Sequence, residues 1–212
     1  MKYYKLTNEN CQTEGSTTWG EGITHKATGK GKALCSNDVI HVYDHPLKAA
    51  IFNCIHARFT NPVLWECKIK KVVANDQLKI GVKQCTTIKQ IPLPKITTAQ
   101  RVHFAILCTL QVYKEESFVK WANSWLSGED RAETSAQEAW AAVWAIQVAE
   151  TSARSPEAAA CAARWAAETL ARAPEVAARA AVWAVWVAVD AAEAQIDLVS
   201  LIKQAIRKEV NK

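Results

Sequence analysis

Residues 64–83 read LWECKIKKVVANDQLKIGVK and predict a β-hairpin. In an extended chain Trp65, Cys67 and Ile69 share one side, and the charged residues between them share the other. This period of two indicates a strand with one buried face. An Asn-Asp pair then supplies a turn, and LKIGVK supplies a partner strand. The hairpin predicts an antiparallel sheet in this part of the chain.

Short runs of β-branched and aromatic residues, separated by turn formers, fill the first 95 residues. The predicted strands are Lys2–Leu6, Ile23–Lys26, Val39–Tyr43, Leu64–Val73, Leu78–Lys83 and Thr86–Ile91. Pro46 suits the first position of a short helix, PLKAAIFNCI, because its φ is fixed. The strand pattern ends at IPLPK, and helical patterns follow. We predict an α+β fold, with a small strand-rich domain over residues 1–95 and a helical bundle over residues 96–212.

The helical half carries local start and stop signals. Thr97 and Gln100 have the spacing of a capping box at the start of a helix. Ser117 is expected to cap the next helix, and Ser127-Gly128 is expected to close it.

An internal repeat with a period of 17–18 residues occupies the rest of this half. AETSARSPE at 149–157 returns as AETLARAPE at 167–175, and AETSA also stands at 132–136. Pro156 and Pro174 push the preceding residue out of helical geometry, so each repeat is expected to be one helix and a tight turn. We predict antiparallel helices at about 135–153, 156–172 and 175–208.

Alanine and tryptophan dominate these helices. Alanine allows neighbouring backbones to approach closely, and larger side chains fill the remaining gaps. The predicted gap-filling residues are Trp140, Trp144, Trp165, Trp183 and Trp186. The run Ala180–Val189 is apolar around its whole circumference, which predicts burial on all sides and hence a homo-oligomer. The run has about half of the roughly 20 residues that a membrane span needs, so no span is predicted.

Charge and cysteine content bound the function. The formal net charge is +5, and most of the excess lies in the first half of the chain. This asymmetry fits an anionic small ligand, although a solvated lysine face is the simpler interpretation, and nucleic-acid binding is not predicted. The seven cysteines lack CxxC spacing and follow no signal peptide, which predicts reduced thiols in the cytoplasm.

The densest group of reactive residues lies between positions 19 and 56. Candidate metal ligands there are His41, His45, Cys54 and His56. Pro46 prevents the first two from sharing a regular helix, and no paired ligand spacing exists, so neither a metal nor a cofactor is predicted. Cys35 is a further candidate, as a nucleophile with His41 or His25 as base and Asp44 as orienter, but no local signature supports it.

A Gly/Lys loop, ATGKGK at 27–32, is the candidate anion site. Its two glycines permit close backbone approach, and lysines supply charge, although the Walker spacing is absent. A flexible basic loop is the simpler alternative. The predicted ligand-binding residues are His25, Lys26, Lys30, Lys32, His41 and His45.

The segment Ile40–Ala50, IHVYDHPLKAA, lies between LCSND and LWECKIKKVV, and the three together resemble a small domain of unknown function found in phage and bacterial proteins. In that domain a short strand containing histidine leads into an N/D-x-P-L helix, and a W/F-E hairpin follows. The resemblance covers about residues 1–110, and the Ala/Trp-rich tail is similar to the variable tails of that domain. It implies no catalytic residue.

A second likeness is more distant. A strand, an acid-rich turn and an alanine-containing helix are similar to the second motif of ADP-ribosyltransferase-like domains. This likeness implies that His41 packs against nicotinamide and that Glu66 contacts the ribose. Histidine replaces the usual tyrosine, however, and the H-G-T or arginine opening is missing near Tyr3-Tyr4-Lys5.

Two functions follow as hypotheses. The preferred one is a non-enzymatic phage-type accessory protein, assembled through its helical half. It would bind an anionic small ligand, such as a nucleotide signal of a host defence, or a host protein. The alternative is an ADP-ribosyltransferase-like enzyme that acts on a nucleotide through His41 and Glu66. The first is preferred because no coherent catalytic group is visible in the sequence.

Overall fold

The computed structural model describes residues 1–129 and 155–210. The fold is α+β, with an antiparallel sheet in the N-terminal half and helices in the C-terminal half, which confirms the predicted fold class. The chain divides into two compact units, Met1–Lys95 and Ile96–Lys212. Within the described ranges, no helix has the length and apolar character needed to cross a membrane.

The N-terminal unit is built around one antiparallel sheet. Its strands are β1 (Tyr3–Thr7), β2 (Gln12–Thr13), β3 (Thr17–Thr18), β4 (Thr24–Lys26), β5 (Ile40–Val42), β6 (Val63–Asn75) and β7 (Ile80–Ile91). The helix α1 (Pro46–His56) lies between β5 and β6 in the chain. The strand order is β1-β6-β7-β4, β5 also pairs with β7, and β2 and β3 form a separate ribbon. The two strands predicted at 78–83 and 86–91 are one strand, because β6 pairs with β7 across the predicted gap.

The main sheet curls until its first and fifth strands meet. Tyr4 and Tyr43 each donate a backbone hydrogen bond to the other's carbonyl oxygen at 2.8 Å. This bridge joins β1 to the end of β5, which also pairs with β7. The apolar core of the curled sheet comprises Trp19, Val42, Cys67, Ile80, Val82 and Cys85.

The turn between β6 and β7 forms where the Asn-Asp pair predicts it. Asn75 Oδ1 accepts from the Gln77 N–H at 2.8 Å, and Asp76 Oδ1 accepts from the Lys79 N–H at 2.8 Å. Gln77 adopts a left-handed conformation with φ of 68°. Lys48 of α1 donates to the Gln77 carbonyl at 2.9 Å, which ties the helix to the turn. These bonds fix the position of Lys79, the residue directly before β7.

The C-terminal unit contains five described helices. They are α2 (Thr98–Val112), α3 (Glu116–Ser127), α4 (Pro156–Thr169), α5 (Pro174–Ala191) and α6 (Leu198–Val210). The capping box of Thr97 and Gln100 is confirmed, and Gly128 closes α3 with φ of 85°. The predicted cap at Ser117 is wrong, because the Glu115 carboxylate accepts the first free N–H groups of α3.

A helix begins at each proline of the repeat, and the residue before each proline is non-helical, as predicted. Ser155 and Ala173 are non-helical, and the Ser155 hydroxyl accepts from the Ala158 N–H at 3.3 Å. The helix predicted at about 135–153, the AETSA copy at 132–136 and the copy at 149–153 lie outside the described residues, as do Trp140 and Trp144.

Small side chains line the contacts among these helices. Helix α2 packs against α4, α5 and α6, and α4 packs against α5. The Thr109 hydroxyl of α2 lies 2.9 Å from the Ala105 carbonyl oxygen and 3.5 Å from that of Ala159 in α4. A side chain of one helix therefore reaches the backbone of the next, at an alanine that is fully buried.

The tryptophans do not all fill gaps. Trp165 and Trp183 are 45% and 42% exposed, so their predicted burial is wrong. The remainder of Ala180–Val189 is buried or, at Trp186, partly buried within the single chain. The chain thus covers most of α5 by itself, and the homo-oligomer stays a prediction without this support. Arg164, which sequence patterns did not single out, is fully buried instead.

The helix predicted at 175–208 is two helices, because Asp197 caps the second one. Asp197 Oδ1 accepts from the Ser200 N–H at 3.0 Å, and its carbonyl accepts from the Leu201 N–H at 3.2 Å.

We expect Asp197→Ala to lower the free energy of unfolding of the C-terminal unit by about 1 kcal/mol, the usual cost of losing such a cap. Urea unfolding monitored by circular dichroism measures this change. Asp197→Asn should retain most of the stability, and equal midpoints for Asp197→Ala and the unchanged protein would contradict the cap.

Candidate functional site

A cavity of about 920 Å³ lies in the N-terminal unit. Side chains from β1, β4, β5, α1 and the loops between them line it. Its basic and imidazole side chains are Lys5, His25, Lys26, His41, His56 and Lys79, and its aromatic side chains are Trp19, Tyr43 and Phe59. The lining side chains that the structure describes include no aspartate or glutamate. The lining is therefore cationic and aromatic.

The structure brings together half of the predicted ligand-binding residues. His25, Lys26 and His41 line the cavity. Lys30 and Lys32 are exposed on the loop before β5 and do not line it. His45 has a structural role, because its Nδ1 accepts from the Leu47 N–H at 3.1 Å and caps α1.

The Gly/Lys loop does not form a vacant anion cradle, because Asp38 occupies it. The Asp38 carboxylate accepts from the N–H groups of Gly31 and Ala33 at 2.9 and 3.4 Å. A side chain at Gly29 or Gly31 would place its Cβ within 2.2–2.4 Å of this carboxylate. The Gly31 N–H is the main cause of a lowered pKa at Asp38. The close approach that the glycines permit thus serves an internal carboxylate.

Lys83 of β7 also holds the Gly/Lys loop in place. Its Nζ donates to the carbonyl oxygens of Gly29, Gly31 and Asp38 at 3.1, 2.6 and 2.6 Å. The loop is therefore tied to β7 through its backbone, and the flexible-loop interpretation does not describe it either.

His41 is uncharged near neutral pH. Burial, followed by the positive charges of Lys79 and Lys5, lowers its pKa from 6.5 to about 4. Its Nε2 accepts from the Cys35 N–H at 3.0 Å, which leaves the ring proton on Nδ1. No residue of the described ranges accepts a hydrogen bond from that Nδ1. His41 thus retains one N–H donor for a ligand.

His56 and Tyr43 are two further uncharged side chains, and they contact each other. Tyr43 Oη lies 3.3 Å from His56 Nδ1, and the two rings stack with centroids 6.2 Å apart. Burial, then the charge of Lys79, lowers the pKa of His56 from 6.5 to about 3. Burial also raises the pKa of Tyr43. Neither ring carries a charge at neutral pH.

Lys5 brings a buried cation to the cavity. Its side chain is only 8% exposed, and burial lowers its pKa. The Nζ donates to the His41 carbonyl oxygen at 3.0 Å and lies 5.1 Å from the centre of the Trp19 ring. His25 stands edge-on to that ring at 4.6 Å. The Lys5 ammonium group therefore lies over the face of an aromatic ring.

The candidate arrangement of Cys35 with a histidine base and Asp44 does not form. The Cys35 thiol meets Lys79, whose Nζ donates to Sγ at 3.0 Å. His41 receives the Cys35 backbone N–H and not its thiol, and Asp44 pairs with Lys48 at 3.0 Å. Sequence reasoning missed Lys79, because 44 residues separate it from Cys35.

His41 and Glu66, the residues of the enzymatic alternative, do not share the cavity. His41 lines it and Glu66 does not. The Glu66 carboxylate pairs with Lys2 at 3.3 Å. Tyr4 stands between Glu66 and β5, since it pairs with Glu66 on one side and Tyr43 on the other.

Over residues 1–129 and 155–210, no group of three or more histidine, cysteine, aspartate or glutamate side chains has the arrangement to hold a metal ion. None of the seven cysteines forms a disulfide.

Comparison with known proteins gives no match for this chain among protein-family models, curated proteins or solved structures.

Proposed function

We propose that the N-terminal unit binds an anionic small molecule with a planar aromatic group, such as a nucleotide, and does not turn it over. The observation that carries this proposal is the cavity of about 920 Å³, where three lysines meet three histidines and aromatic rings. Its volume lies in the range of roughly 300–1,000 Å³ that is usual for small-molecule sites.

Charge is the first support. Lys5 and Lys79 line the cavity although they are only 8% and 7% exposed. Among the side chains that the structure describes, the acceptors of these two lysines are a carbonyl oxygen and a thiol, and no carboxylate pairs with either lysine. A buried ammonium group without a counter-charge is costly. A bound phosphate or carboxylate would supply that counter-charge.

The uncharged rings are the second support. Trp19 and Tyr43 are buried residues that line the cavity, and aromatic side chains of this kind pack well against planar rings. His41 adds a neutral N–H donor, because its low pKa keeps the ring uncharged. This combination suits a base or another aromatic ring attached to a negatively charged group.

Binding is preferred to catalysis because the candidate reactive groups are dispersed. Cys35 has no histidine base at its thiol, and Glu66 lies outside the cavity lining. A general base or nucleophile must stand within hydrogen-bond reach of its partner. Neither arrangement meets this condition.

The biological setting belongs to the same proposal. We place the protein in the cytoplasm, in keeping with its seven free cysteines. As a phage-type accessory protein it would sequester a nucleotide signal of a host defence. Engagement of a host protein, and assembly into a homo-oligomer, are the further parts of this hypothesis.

Calorimetric titration of the full-length protein with ADP, GMP, adenosine and inorganic phosphate tests the proposal. We expect the nucleotides to bind and adenosine to fail. We also expect Lys79→Met to weaken nucleotide binding about tenfold to hundredfold, because hydrogen bonds to a charged group contribute roughly 1.5–3 kcal/mol.

Lys32→Met is the matched control, since it removes the same charge from an exposed loop position outside the cavity. Its affinity should stay within about twofold of the unchanged protein. Equal losses in both variants, or failure of both nucleotides to bind, would contradict the proposal.

A further inference from the structure

Cys35 and Lys79 form a pair whose chemistry goes beyond ligand binding. Lys79 Nζ donates to Cys35 Sγ at 3.0 Å, and both residues line the cavity. The cysteine is exposed and the lysine is buried. A reagent can therefore reach the sulfur, while the amine is held against it.

The backbone holds the sulfur in this place. Cys35 has a left-handed conformation with φ of 62°, which is unfavourable for a residue with a side chain. Its N–H donates to His41 Nε2 at 3.0 Å, and the neighbouring Ser36 hydroxyl donates to the Ala33 carbonyl at 2.8 Å. Lys79 is fixed in turn by the Asp76 turn before β7. Both partners are thus positioned by separate elements.

Of the seven cysteines, all of which lie in the described residues, Cys35 alone is exposed, and Cys11 and Cys54 are partly exposed. Four of them, Cys67, Cys85, Cys108 and Cys161, are buried. Cys11 is partly exposed and also has positive φ, but the described neighbour of its sulfur is the neutral Gln90 amide at 3.8 Å. A peroxide oxidises a cysteine only where it can reach the sulfur, and a nucleophile beside that sulfur can then trap the oxidised form. Cys35 is therefore the thiol most suited to oxidation.

We propose that a peroxide converts Cys35 and Lys79 into a covalent sulfur–nitrogen crosslink. In the first step the Cys35 sulfur attacks hydrogen peroxide, an S–O bond forms as the O–O bond breaks, and one water leaves. The sulfur loses two electrons and becomes a sulfenic acid. In the second step the Lys79 ammonium group gives one proton to solvent, and the lone pair of the resulting amine attacks the sulfur. An N–S bond forms as the S–O bond breaks, and the departing hydroxide takes a second proton from the nitrogen and leaves as water. One thiol, one amine and one peroxide thus give one sulfenamide and two waters.

The crosslink would also regulate the cavity, a consequence that rests on the proposed function. Lys79 loses its positive charge when its nitrogen bonds to sulfur, and the side chain can no longer turn toward a ligand. We expect the oxidised protein to bind ADP about tenfold more weakly, the usual effect of losing one charged contact. Thiol reductants would restore binding, because a sulfenamide is reducible.

Tandem mass spectrometry of the full-length protein, treated with hydrogen peroxide and then digested, tests the crosslink. The expected product joins the peptides that contain Cys35 and Lys79, with a mass two hydrogens below the sum of the reduced peptides. Dithiothreitol should separate them. In Lys79→Arg, which keeps a cation but offers a poor nucleophile, the link should be absent and dimedone should trap the Cys35 sulfenic acid instead. Cys11→Ser should leave the yield unchanged.

Two results would overturn the inference. One is that, in the protein without substitutions, Cys35 stays reduced or oxidises to sulfinic acid, and no linked peptide is found. The other is an equal yield of linked Cys35 in Lys79→Arg. ADP titrations on the same samples separate this inference from the proposed function. Nucleotide binding without a crosslink contradicts only the inference, whereas a crosslink without nucleotide binding contradicts only the proposed function.

Discussion

Acidification from pH 7 to pH 5 is expected to lower the free energy of unfolding of the N-terminal unit by roughly 2–4 kcal/mol. His41 and His56 are the cause, because the fold lowers their pKa values from 6.5 to about 4 and about 3. Below pH 6.5 the unfolded chain binds protons at both rings while the folded chain does not. Stability is therefore fully present above pH 6.5 and falls as the pH drops toward the folded pKa values.

Urea unfolding at intervals between pH 7 and pH 5 measures this loss before most carboxylates titrate. His56→Phe should remove about half of it, since phenylalanine can occupy the stack between Tyr43 and Phe52 without binding a proton. Tyr43→Phe is the control, because it removes the hydroxyl but keeps His56 in place. A stability that stays constant over this range in the unchanged protein would show that the two histidines are not held uncharged.

Ala159→Leu is expected to destabilise the C-terminal unit by roughly 2–3 kcal/mol, the cost of overpacking a filled core. Ala159 is fully buried, and the Thr109 hydroxyl of α2 lies 3.5 Å from its carbonyl oxygen. A larger side chain on this face would push α2 and α4 apart and break the contacts of their neighbours. Urea unfolding monitored by circular dichroism measures the change.

Ala171→Leu is the matched control, because Ala171 is exposed between α4 and α5. It should change the free energy of unfolding by less than about 0.5 kcal/mol. If Ala159→Leu were as stable as this control, close packing through alanine would not describe these helices.

Local patterns predict much of this fold. The period of two at residues 65–69 predicts the buried face of β6, and the Asn-Asp pair predicts its turn. The capping box at Thr97 and the prolines of the repeat mark helix ends that the structure confirms. Each of these signals depends on residues only a few positions apart, so it can be recognised in the sequence alone. The break before Leu198 was missed because Asp197 also fits a helix interior in an otherwise helical pattern.

The cavity depends on contacts that no local pattern contains. Lys5 lies on the same side of β1 as Tyr3 and Thr7, and the Trp19 ring that covers its ammonium group comes from a later loop. Lys79 reaches Cys35 only because β7 pairs with β5. These residues come together because strands that are far apart in the sequence pair in the sheet.

At the Gly/Lys loop, in contrast, a local motif predicted a ligand site that the structure does not show. Two glycines and several lysines predict an anion site, but the anion is the carboxylate of Asp38. Asp38 lies only seven residues after Gly31, so its capping role was within reach of sequence reasoning. The cationic centre of the unit lies instead at Lys5 and Lys79.

Native mass spectrometry of the full-length protein, purified from cells and measured before and after denaturation, tests the central claim most directly. We expect a small anionic molecule with an aromatic group to accompany the folded chain and to be lost on denaturation. The double variant Lys5→Met, Lys79→Met should carry much less of it. A folded protein that has the mass of the bare chain, and that gains no mass when ADP or GMP is added, would contradict the claim that this cavity binds such a ligand.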